Sequence, residues 1–358
     1  MPRQLHYDRL LCLTILGLTF FGLLMVFSVT AADGDPNPTF IIKQSVAAFI
    51  GLGLMRFLMF RDYHELRNQK VVFGVVGAAI VLLALAFVVG SGARTGRWLD
   101  LGFFSFQPSE LAKLAVIVFL AYYLETYGDR IDNIRSLAGG AIVLAAVCLL
   151  IFGGRDLGTA VAIMVIAAVM LWTAGLQLRW FLVGIGVAVP LGYLATIVEP
   201  YRVRRFLVFL DPEADPLGAG FQVMQSKIAV GSGGLLGQGL LLGRQKMRFL
   251  PEAHTDFIFG VIGEETGLVG CLLVVSAFAF ILWRGLHASM RAPDAFGRYL
   301  AVGVTAMIVC QAMINVGVVL SMLPTKGLPL PFISYGGSSL MMSLAGAGLL
   351  LNVSQHAD

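Results

Sequence analysis

Long apolar runs alternate with short polar segments along almost the whole chain. Most runs approach the ~20 residues that a helix needs to cross the hydrocarbon core of a bilayer. The pattern predicts ten membrane-spanning helices, over residues 10–30, 41–60, 71–90, 110–124, 137–152, 157–173, 180–198, 257–283, 299–320 and 337–353. We therefore expect an all-α polytopic membrane protein with a single transmembrane domain over 1–358.

The composition excludes several other classes of protein. Hydrophobic residues make up 58% of the 358 residues and charged residues only 13%, whereas a soluble domain is nearer one half and one quarter. The four cysteines lie singly in apolar stretches, which argues against a secreted disulfide scaffold. A net charge of +4 without a basic stripe argues against nucleic-acid binding.

The distribution of Lys and Arg among the short loops predicts the orientation. Alternate loops, starting with the N-terminus, contain most of these residues: Arg3, Arg9, Arg56, Arg61, Arg67, Lys70, Arg130, Arg135, Arg179, Arg284, Arg291 and Arg298. By the positive-inside rule this set is cytoplasmic. Both termini are therefore expected in the cytoplasm.

One long loop, at about 199–255, is predicted on the outer face between the seventh and eighth spans. Its stretch Phe221–Leu242 is moderately apolar and rich in glycine, which favours an interfacial or re-entrant segment. Basic residues crowd the loop: Arg202, Arg204, Arg205, Lys227, Arg244, Lys246 and Arg248. They suit either a large anionic headgroup or a general electrostatic role at the membrane surface.

Polar side chains inside spans are costly and therefore mark functional candidates. Glu110 and Lys113 are three residues apart at the outer start of the fourth span, and they could form a structural ion pair or line a site. Gln311 and Asn315 form one polar stripe in the ninth span, which favours hydrogen bonding between helices. Asp156 follows two glycines and could cap the sixth helix.

Asp256 lies at the outer start of the eighth span. It could cap that helix, but Thr255 would cap equally well and would leave the carboxylate free to face a cavity. Glu264 and Glu265 lie deeper and on other faces of the same helix. A single acid at the membrane edge argues against glycoside hydrolysis by two flanking carboxylates, and the five histidines show no metal-ligand spacing.

The chain resembles the SEDS family (shape, elongation, division and sporulation) over nearly its whole length. Five long motifs carry this resemblance, in the family's order: Arg97–Gly102 leading to Phe106–Lys113, Gly154–Thr159, Gln225–Gly234, Leu250–Phe257 and Pro329–Ser339. Asp211–Gly220 with Gln225–Lys227 resembles the elongation (RodA) branch, whereas Arg244–Lys246 and Pro324–Gly327 are more similar to the division (FtsW) branch. Of these two, we favour the elongation branch.

The resemblance implies a ten-helix glycosyltransferase that polymerises lipid II into peptidoglycan strands, in cell elongation and shape control. It would work with a class B penicillin-binding protein, within the elongation machinery, at the outer face of the bacterial cytoplasmic membrane. Asp256 would be the essential acid, either as general base or as ligand of a divalent cation, Mg²⁺ or Mn²⁺. The resemblance and the loop charges together predict these substrate-binding residues: Glu110, Lys113, Arg97, Arg202, Lys227, Arg244, Lys246, His254 and Ser338.

Two further function classes compete with this prediction. A flippase of lipid-linked precursors would need polar residues through the full membrane depth and paired broken helices around a midplane site. Several polar residues inside the spans allow that interpretation, although most polar groups gather at the outer face: Glu110, Lys113, Gln311, Asn315, Glu264 and Glu265. A scaffold for a transpeptidase would need no charged cavity.

Overall fold

The structure, a computed structural model, describes residues 7–31, 38–89, 96–100, 102, 104–197, 200–212, 218–243, 251 and 253–357. This part of the chain is almost entirely helical. The helices are α1 (Arg9–Ala31), α2 (Thr39–Phe60), α3 (Gln69–Val89), α4 (Pro108–Tyr127), α5 (Ile134–Gly153), α6 (Leu157–Thr173), α7 (Leu178–Ile197), α8 (Pro200–Leu210), α9 (Ala219–Ser232), α10 (Ile258–Arg291), α11 (Ala295–Val319) and α12 (Gly337–His356). A short antiparallel hairpin, β1 (Leu99–Asp100) and β2 (Ser105–Phe106), precedes α4.

The prediction of an all-α polytopic membrane protein is confirmed. Among the described residues, eight helices are long and apolar enough to cross a membrane, and the shorter apolar helices α6 and α7 match the two remaining predicted spans. The helix α10 continues to Arg291 rather than ending near 283. Its last two turns contain polar residues, which ended the apolar run without ending the helix.

The predicted long outer loop contains two helices that hydropathy alone did not reveal. In α8, three arginines alternate with apolar residues (Pro200–Leu210), so the average hydropathy is too low for a span. In α9 (Ala219–Ser232), the buried side chains of Val223, Ser226 and Ala229 recur at helical spacing. Both helices are therefore amphipathic and follow the bundle surface.

The helices α11 and α12 form the centre of the bundle, whereas α7 lies at its edge with most side chains exposed. Helix α2 packs closely along α12. A Cβ atom added at Gly348 would lie 2.5 Å from the backbone oxygen of Met55, and one at Gly51 would lie 2.6 Å from a methyl group of Leu344. Small residues at such positions let membrane helices approach closely.

We expect Gly348→Val to destabilise the protein by about 1–3 kcal/mol, because the new side chain would overlap backbone that cannot rotate away. The thermal unfolding midpoint in detergent measures this effect. Gly184→Val on α7 is the matched control, since nothing lies within 4 Å of a Cβ atom at Gly184. Equal midpoints for the two variants would contradict the close approach of α2 and α12.

Both ends of the described chain lie at one face of the bundle. The backbone N–H of Asp8, just before α1, donates to Ser354 Oγ near the end of α12 at 3.4 Å. The Asp8 carboxylate also pairs with Arg284 in the last part of α10. This arrangement agrees with an even number of spans, while the cytoplasmic location of this face stays a prediction.

The helix α10 is broken at Gly267, where φ is 66° and ψ is −163°. A side chain would be strained at this φ. The segment 233–239, directly after α9, lies against the break, and a Cβ atom at Gly267 would lie 2.4 Å from the backbone nitrogen of Gly237. Glycine therefore satisfies both the backbone angle and the space.

Backbone hydrogen bonds from segment 233–239 replace those that the break removes. They are Gln238 N to Glu264 O (2.9 Å), Gly239 N to Glu265 O (3.1 Å), Leu268 N to Gly234 O (2.9 Å) and Val269 N to Leu235 O (3.2 Å). Irregular backbone is tolerated at membrane depth only where protein satisfies its polar groups. The outer part of α10, which follows Asp256, is thus a separate helical unit.

Candidate active site

Asp256 lies in the turn that leads into α10, at the end of the bundle opposite the chain termini. The N-cap of α10 is Phe257, which makes no side-chain cap hydrogen bond, so Asp256 stands one residue before the cap. The residue is partly exposed. A Cβ atom added at Gly327, in the loop between α11 and α12, would lie 3.1 Å from Asp256 Oδ2. The carboxylate therefore faces that loop.

The backbone around Asp256 is anchored at three successive carbonyl oxygens. Tyr335 N donates to His254 O at 2.8 Å, and Ser334 Oγ donates to Thr255 O at 2.6 Å. Asn315 Nδ2, from α11, donates to Asp256 O at 2.8 Å. These three bonds fix the main chain through its carbonyl oxygens and so hold Asp256 in place.

The polar stripe predicted on α11 connects this turn to α4. Asn315 Nδ2 also donates to Leu328 O, and Gln311 Nε2 donates to Pro329 O, each at 2.8 Å. Gln311 Oε1 accepts from Lys113 Nζ at 2.6 Å. The stripe therefore hydrogen-bonds between helices, as predicted, and also holds the loop that faces Asp256.

Glu110 and Lys113 form the ion pair that their spacing predicts, at 2.9 Å between Oε2 and Nζ. Their side chains are only 3% and 2% exposed. Glu110 and Gln311 thus accept from two of the three N–H donors of the Lys113 ammonium group. This geometry fits a positioning role, and direct substrate contact by either residue stays a prediction.

The predicted basic residues of the long outer loop occupy different places. Arg202 stacks on the ring of Phe152 at the end of α5, with its guanidinium carbon 5.0 Å from the ring centre. Arg205 donates to Thr325 O at 3.3 Å and so contacts the loop that faces Asp256. Lys227 is exposed on α9. Arg244 and Lys246 lie outside the described residues.

His254, Arg97 and Ser338 also have defined surroundings. The His254 ring lies among the rings of Phe40 and Tyr335, with centroids 5.2 and 5.5 Å away. Arg97 donates to the backbone oxygens of Gly154 and Arg155. Ser338 is buried, and it donates to the backbone oxygen of Ser105 in the hairpin and accepts from the backbone N–H of Gln107 at the start of α4. The described contacts of Arg97 and Ser338 thus hold backbone in place, and their substrate contacts stay predictions.

Lys326, the residue before Gly327, is not among the site residues predicted from the sequence. It is half-buried in the loop beside Asp256, and burial lowers the pKa of its ammonium group below the usual lysine value. Lys326 is flanked by Thr325 and Gly327 in an otherwise apolar loop. That isolated charge was the signal that could have identified it.

Glu264 and Glu265, about two turns along α10 from its start, are almost fully buried. Glu265 accepts hydrogen bonds from Ser28 Oγ of α1 at 2.6 and 2.8 Å and from Leu241 N at 3.2 Å. A Cβ atom at Gly243 would lie 2.9 Å from Glu264 Oε2. These acids therefore serve the contact between α10, α1 and the segment that follows α9.

Two apolar pockets flank the broken part of α10. One, of about 480 Å³, lies between α1 and α10 and is lined by Leu18, Phe21, Leu236, Leu240, Val269 and Leu273. The other, of about 500 Å³, lies between α9, α10 and α11 and is lined by Val230, Leu235, Phe259, Leu272, Val316 and Leu320. Pockets of this size and character suit hydrocarbon chains.

Comparison with known proteins gives consistent matches over nearly the full chain. A probable peptidoglycan glycosyltransferase FtsW of Geobacter sulfurreducens is 41% identical over 357 residues, which cover 98% of this chain and 95% of the relative. A solved chain from a peptidoglycan synthase complex is 35% identical, with a TM-score of 0.81 over 98% of this chain and 99% of its own. The rod shape determining protein RodA of Thermus thermophilus is 30% identical, with a TM-score of 0.73 over 99% and 98% of the two chains.

A family of cell cycle proteins, described by the names FtsW, RodA and SpoVE, matches residues 8–358. The match includes every motif on which the resemblance was based, the anchored turn at Asp256 and the helices that hold it. The chain therefore belongs to this family, the SEDS proteins, and is a multi-pass protein of the bacterial cytoplasmic membrane.

Proposed function

We propose that this chain is a peptidoglycan glycosyltransferase that polymerises lipid II at the outer face of the cytoplasmic membrane. The observation that carries the proposal is the partly exposed Asp256, whose backbone is fixed at three successive carbonyls while its carboxylate faces a loop that carries the half-buried Lys326. The printed name of the FtsW relative, a probable peptidoglycan glycosyltransferase, supports the same activity.

In the proposed reaction Asp256 acts either as the general base or as a ligand of a divalent cation. As the general base it accepts the proton of the acceptor sugar's 4-hydroxyl while that oxygen forms a bond to the anomeric carbon of the donor sugar. The bond from this carbon to the pyrophosphate oxygen breaks, and undecaprenyl diphosphate leaves with the electron pair. A positioned base contributes about 10²- to 10⁴-fold to such a rate.

Cations beside the site would stabilise the charge that develops on the leaving diphosphate. Lys326 precedes Gly327, which lies against the Asp256 carboxylate, and Arg205 is hydrogen-bonded to the same loop. Stabilisation of developing charge by fixed groups is usually the largest catalytic contribution. Arg244 and Lys246, which lie outside the described residues, keep their predicted role in binding the headgroup.

The lowered pKa of Lys326 leads to a pH prediction. The ammonium form exists below this pKa, so polymerisation should be lost as the pH rises through a value below the usual ~10.4 of lysine. Lys326→Arg keeps a positive charge to much higher pH, and the alkaline loss should move upward or disappear. The measurement is the rate of polymerisation against pH for both proteins. If both lose activity over the same alkaline pH range, Lys326 is not the group whose charge the reaction requires.

A divalent cation, Mg²⁺ or Mn²⁺, is part of the proposal. Within the described residues no group of three or more His, Cys, Asp or Glu side chains could hold a metal ion. Magnesium, however, is commonly bound by one or two carboxylates together with substrate phosphates. Asp256 with the diphosphate oxygens fits that pattern. When bound, the ion would neutralise charge on the leaving group.

The apolar pockets beside α10 support a substrate with a long hydrocarbon tail. They lie beside α10, the helix that begins just after Asp256, so a polyprenyl chain could lie along the bundle while its headgroup stays at the membrane surface. The competing flippase needs a polar route through the full membrane depth. Below the Glu110–Lys113 pair, α4 is lined on its buried side by apolar residues such as Ile117 and Leu124.

Reconstitution in liposomes separates the two functions. Purified protein is incorporated with fluorescent lipid II, and both glycan polymer and the transfer of label between leaflets are measured. A polymerase should produce glycan that lysozyme digests, without net translocation. Translocation without polymer would favour the flippase instead.

The cellular role and the partner are also proposals. The motif resemblance favours cell elongation, whereas the 41% identical relative is named FtsW and favours division. A class B penicillin-binding protein is the proposed partner, supported by the 35% identical chain from a peptidoglycan synthase complex. Complementation tests the role. The chain is expressed in one strain depleted of its elongation polymerase and in another depleted of its division polymerase, each with its cognate transpeptidase. The strain that grows identifies the role.

A further inference from the structure

Asp156 lies in the turn between α5 and α6 and is only 7% exposed. It is the N-cap of α6, since its Oδ1 accepts from Thr159 N at 3.1 Å. A cap requires one acceptor oxygen. The second oxygen, Oδ2, is therefore available for another task.

That second oxygen binds the start of α4. Oδ2 accepts from Gln107 Nε2 at 2.9 Å, from Ser109 Oγ at 3.3 Å and from Thr159 Oγ1 at 2.9 Å. Gln107 is the N-cap residue of α4, yet its side chain makes no cap hydrogen bond there. Its amide reaches across to Asp156 instead, so the carboxylate joins the first turns of two helices.

The other side of Gln107 is fixed as well. Its backbone N–H donates to Ser338 Oγ of α12 at 3.0 Å, and its carbonyl accepts from Glu110 N at 3.1 Å. The start of α4 is thus clamped between α6 and α12. Lys113, one turn along, bonds Glu110 and Gln311, and Gln311 holds the loop that faces Asp256.

We propose that Asp156 is a positioning residue of the site, which fixes the start of α4 and through it the buried Lys113 and the loop beside Asp256. The inference rests on the proposed glycosyltransferase function. Asp156 itself does not touch substrate in this account. It acts by keeping one donor of Gln107 and one of Ser109 paired inside the protein.

Asp156→Asn separates this role from that of a cap. Asparagine caps helices as well as aspartate does and has the same shape, so a residue that only caps would tolerate it. At position 156, however, the N–H donors of the new amide would face the Nε2 donors of Gln107. We expect kcat to fall about tenfold with KM little changed, the effect of roughly one unpaired buried polar group.

A reciprocal exchange provides the sharper test. Gln107→Glu alone sets two carboxylates against each other and should also lower kcat. In Asp156→Asn with Gln107→Glu, the amide at 156 donates to the carboxylate at 107, the hydroxyls of Ser109 and Thr159 can rotate, and the negative charge stays at a helix N-terminus. We expect the double variant to recover most of the wild-type kcat.

The wild type, both single variants and the double variant are compared for kcat, KM and thermal midpoint without substrate. If the double variant recovers both the kcat and the thermal midpoint that the single variants lose, the two residues are coupled and the positioning role is supported. Coupling in the midpoint with equal kcat in all four proteins overturns that role, and additive losses overturn the pairing itself. A wild type that makes no polymer would instead refute the proposed function, and with it the positioning role, whatever the midpoints show.

Discussion

Asp256→Asn should lower the rate of lipid II polymerisation by about 10²- to 10⁴-fold, the contribution of a positioned general base. The amide has the shape of the carboxylate but cannot accept the proton of the acceptor hydroxyl. The fold should persist, because Asn315 binds the backbone oxygen of residue 256 and Ser334 binds that of Thr255. The measurement is the initial rate with purified protein, together with its thermal midpoint.

Asp100→Asn is the matched control for this variant. Asp100 is exposed in the hairpin before α4, and its Oδ1 accepts from Gly102 N at 3.1 Å, a bond that asparagine can also make. The control should retain full activity. A cation titration then separates the two roles of Asp256, since recovery of Asp256→Asn at high Mg²⁺ or Mn²⁺ indicates a metal ligand. Full activity of Asp256→Asn at ordinary cation levels would contradict both roles.

Lys113→Met should cause the largest loss of stability, about 3–5 kcal/mol, because it leaves the Glu110 carboxylate buried without its partner. Both side chains are almost completely buried. We expect a large drop in the thermal midpoint and in the yield of folded protein. A midpoint equal to that of the wild type would mean that Glu110 is not charged in the folded protein.

The double variant Glu110→Gln with Lys113→Met separates stability from function. It removes both charges, so most of the stability should return. Gln311 Oε1 still loses the donor that Lys113 provides, so the hydrogen bond from Gln311 Nε2 to Pro329 O weakens. We expect polymerisation about tenfold below wild type, the effect of one unpaired buried acceptor. Wild-type activity in this double variant would show that Glu110 and Lys113 contribute to stability and not to catalysis.

The sequence was sufficient for the spans, because bilayer thickness imposes a length and an apolar composition on each helix. It did not predict the break in α10. Gly267 alone is compatible with a continuous helix, and the break is stable only because segment 233–239 supplies the missing hydrogen bonds. Pairing between segments that are distant in sequence cannot be read from local periodicity.

The candidate site was predictable where chemistry is local. Asp256 and the Glu110–Lys113 pair were identified from their positions and spacing, and the stripe of Gln311 and Asn315 from its periodicity. Lys326 was missed, because its importance depends on burial beside Asp256. Asp156 was interpreted as a helix cap, which is half of what the structure assigns to it, since the link to Gln107 spans 49 residues.

In the proposed function this chain itself joins lipid II units. The most direct measurement is the product formed when the purified wild-type protein alone is incubated with lipid II and a divalent cation, analysed on a gel before and after lysozyme digestion. We predict glycan polymer that lysozyme degrades, with release of undecaprenyl diphosphate. Unchanged lipid II, in a preparation that shows cooperative thermal unfolding, would contradict it.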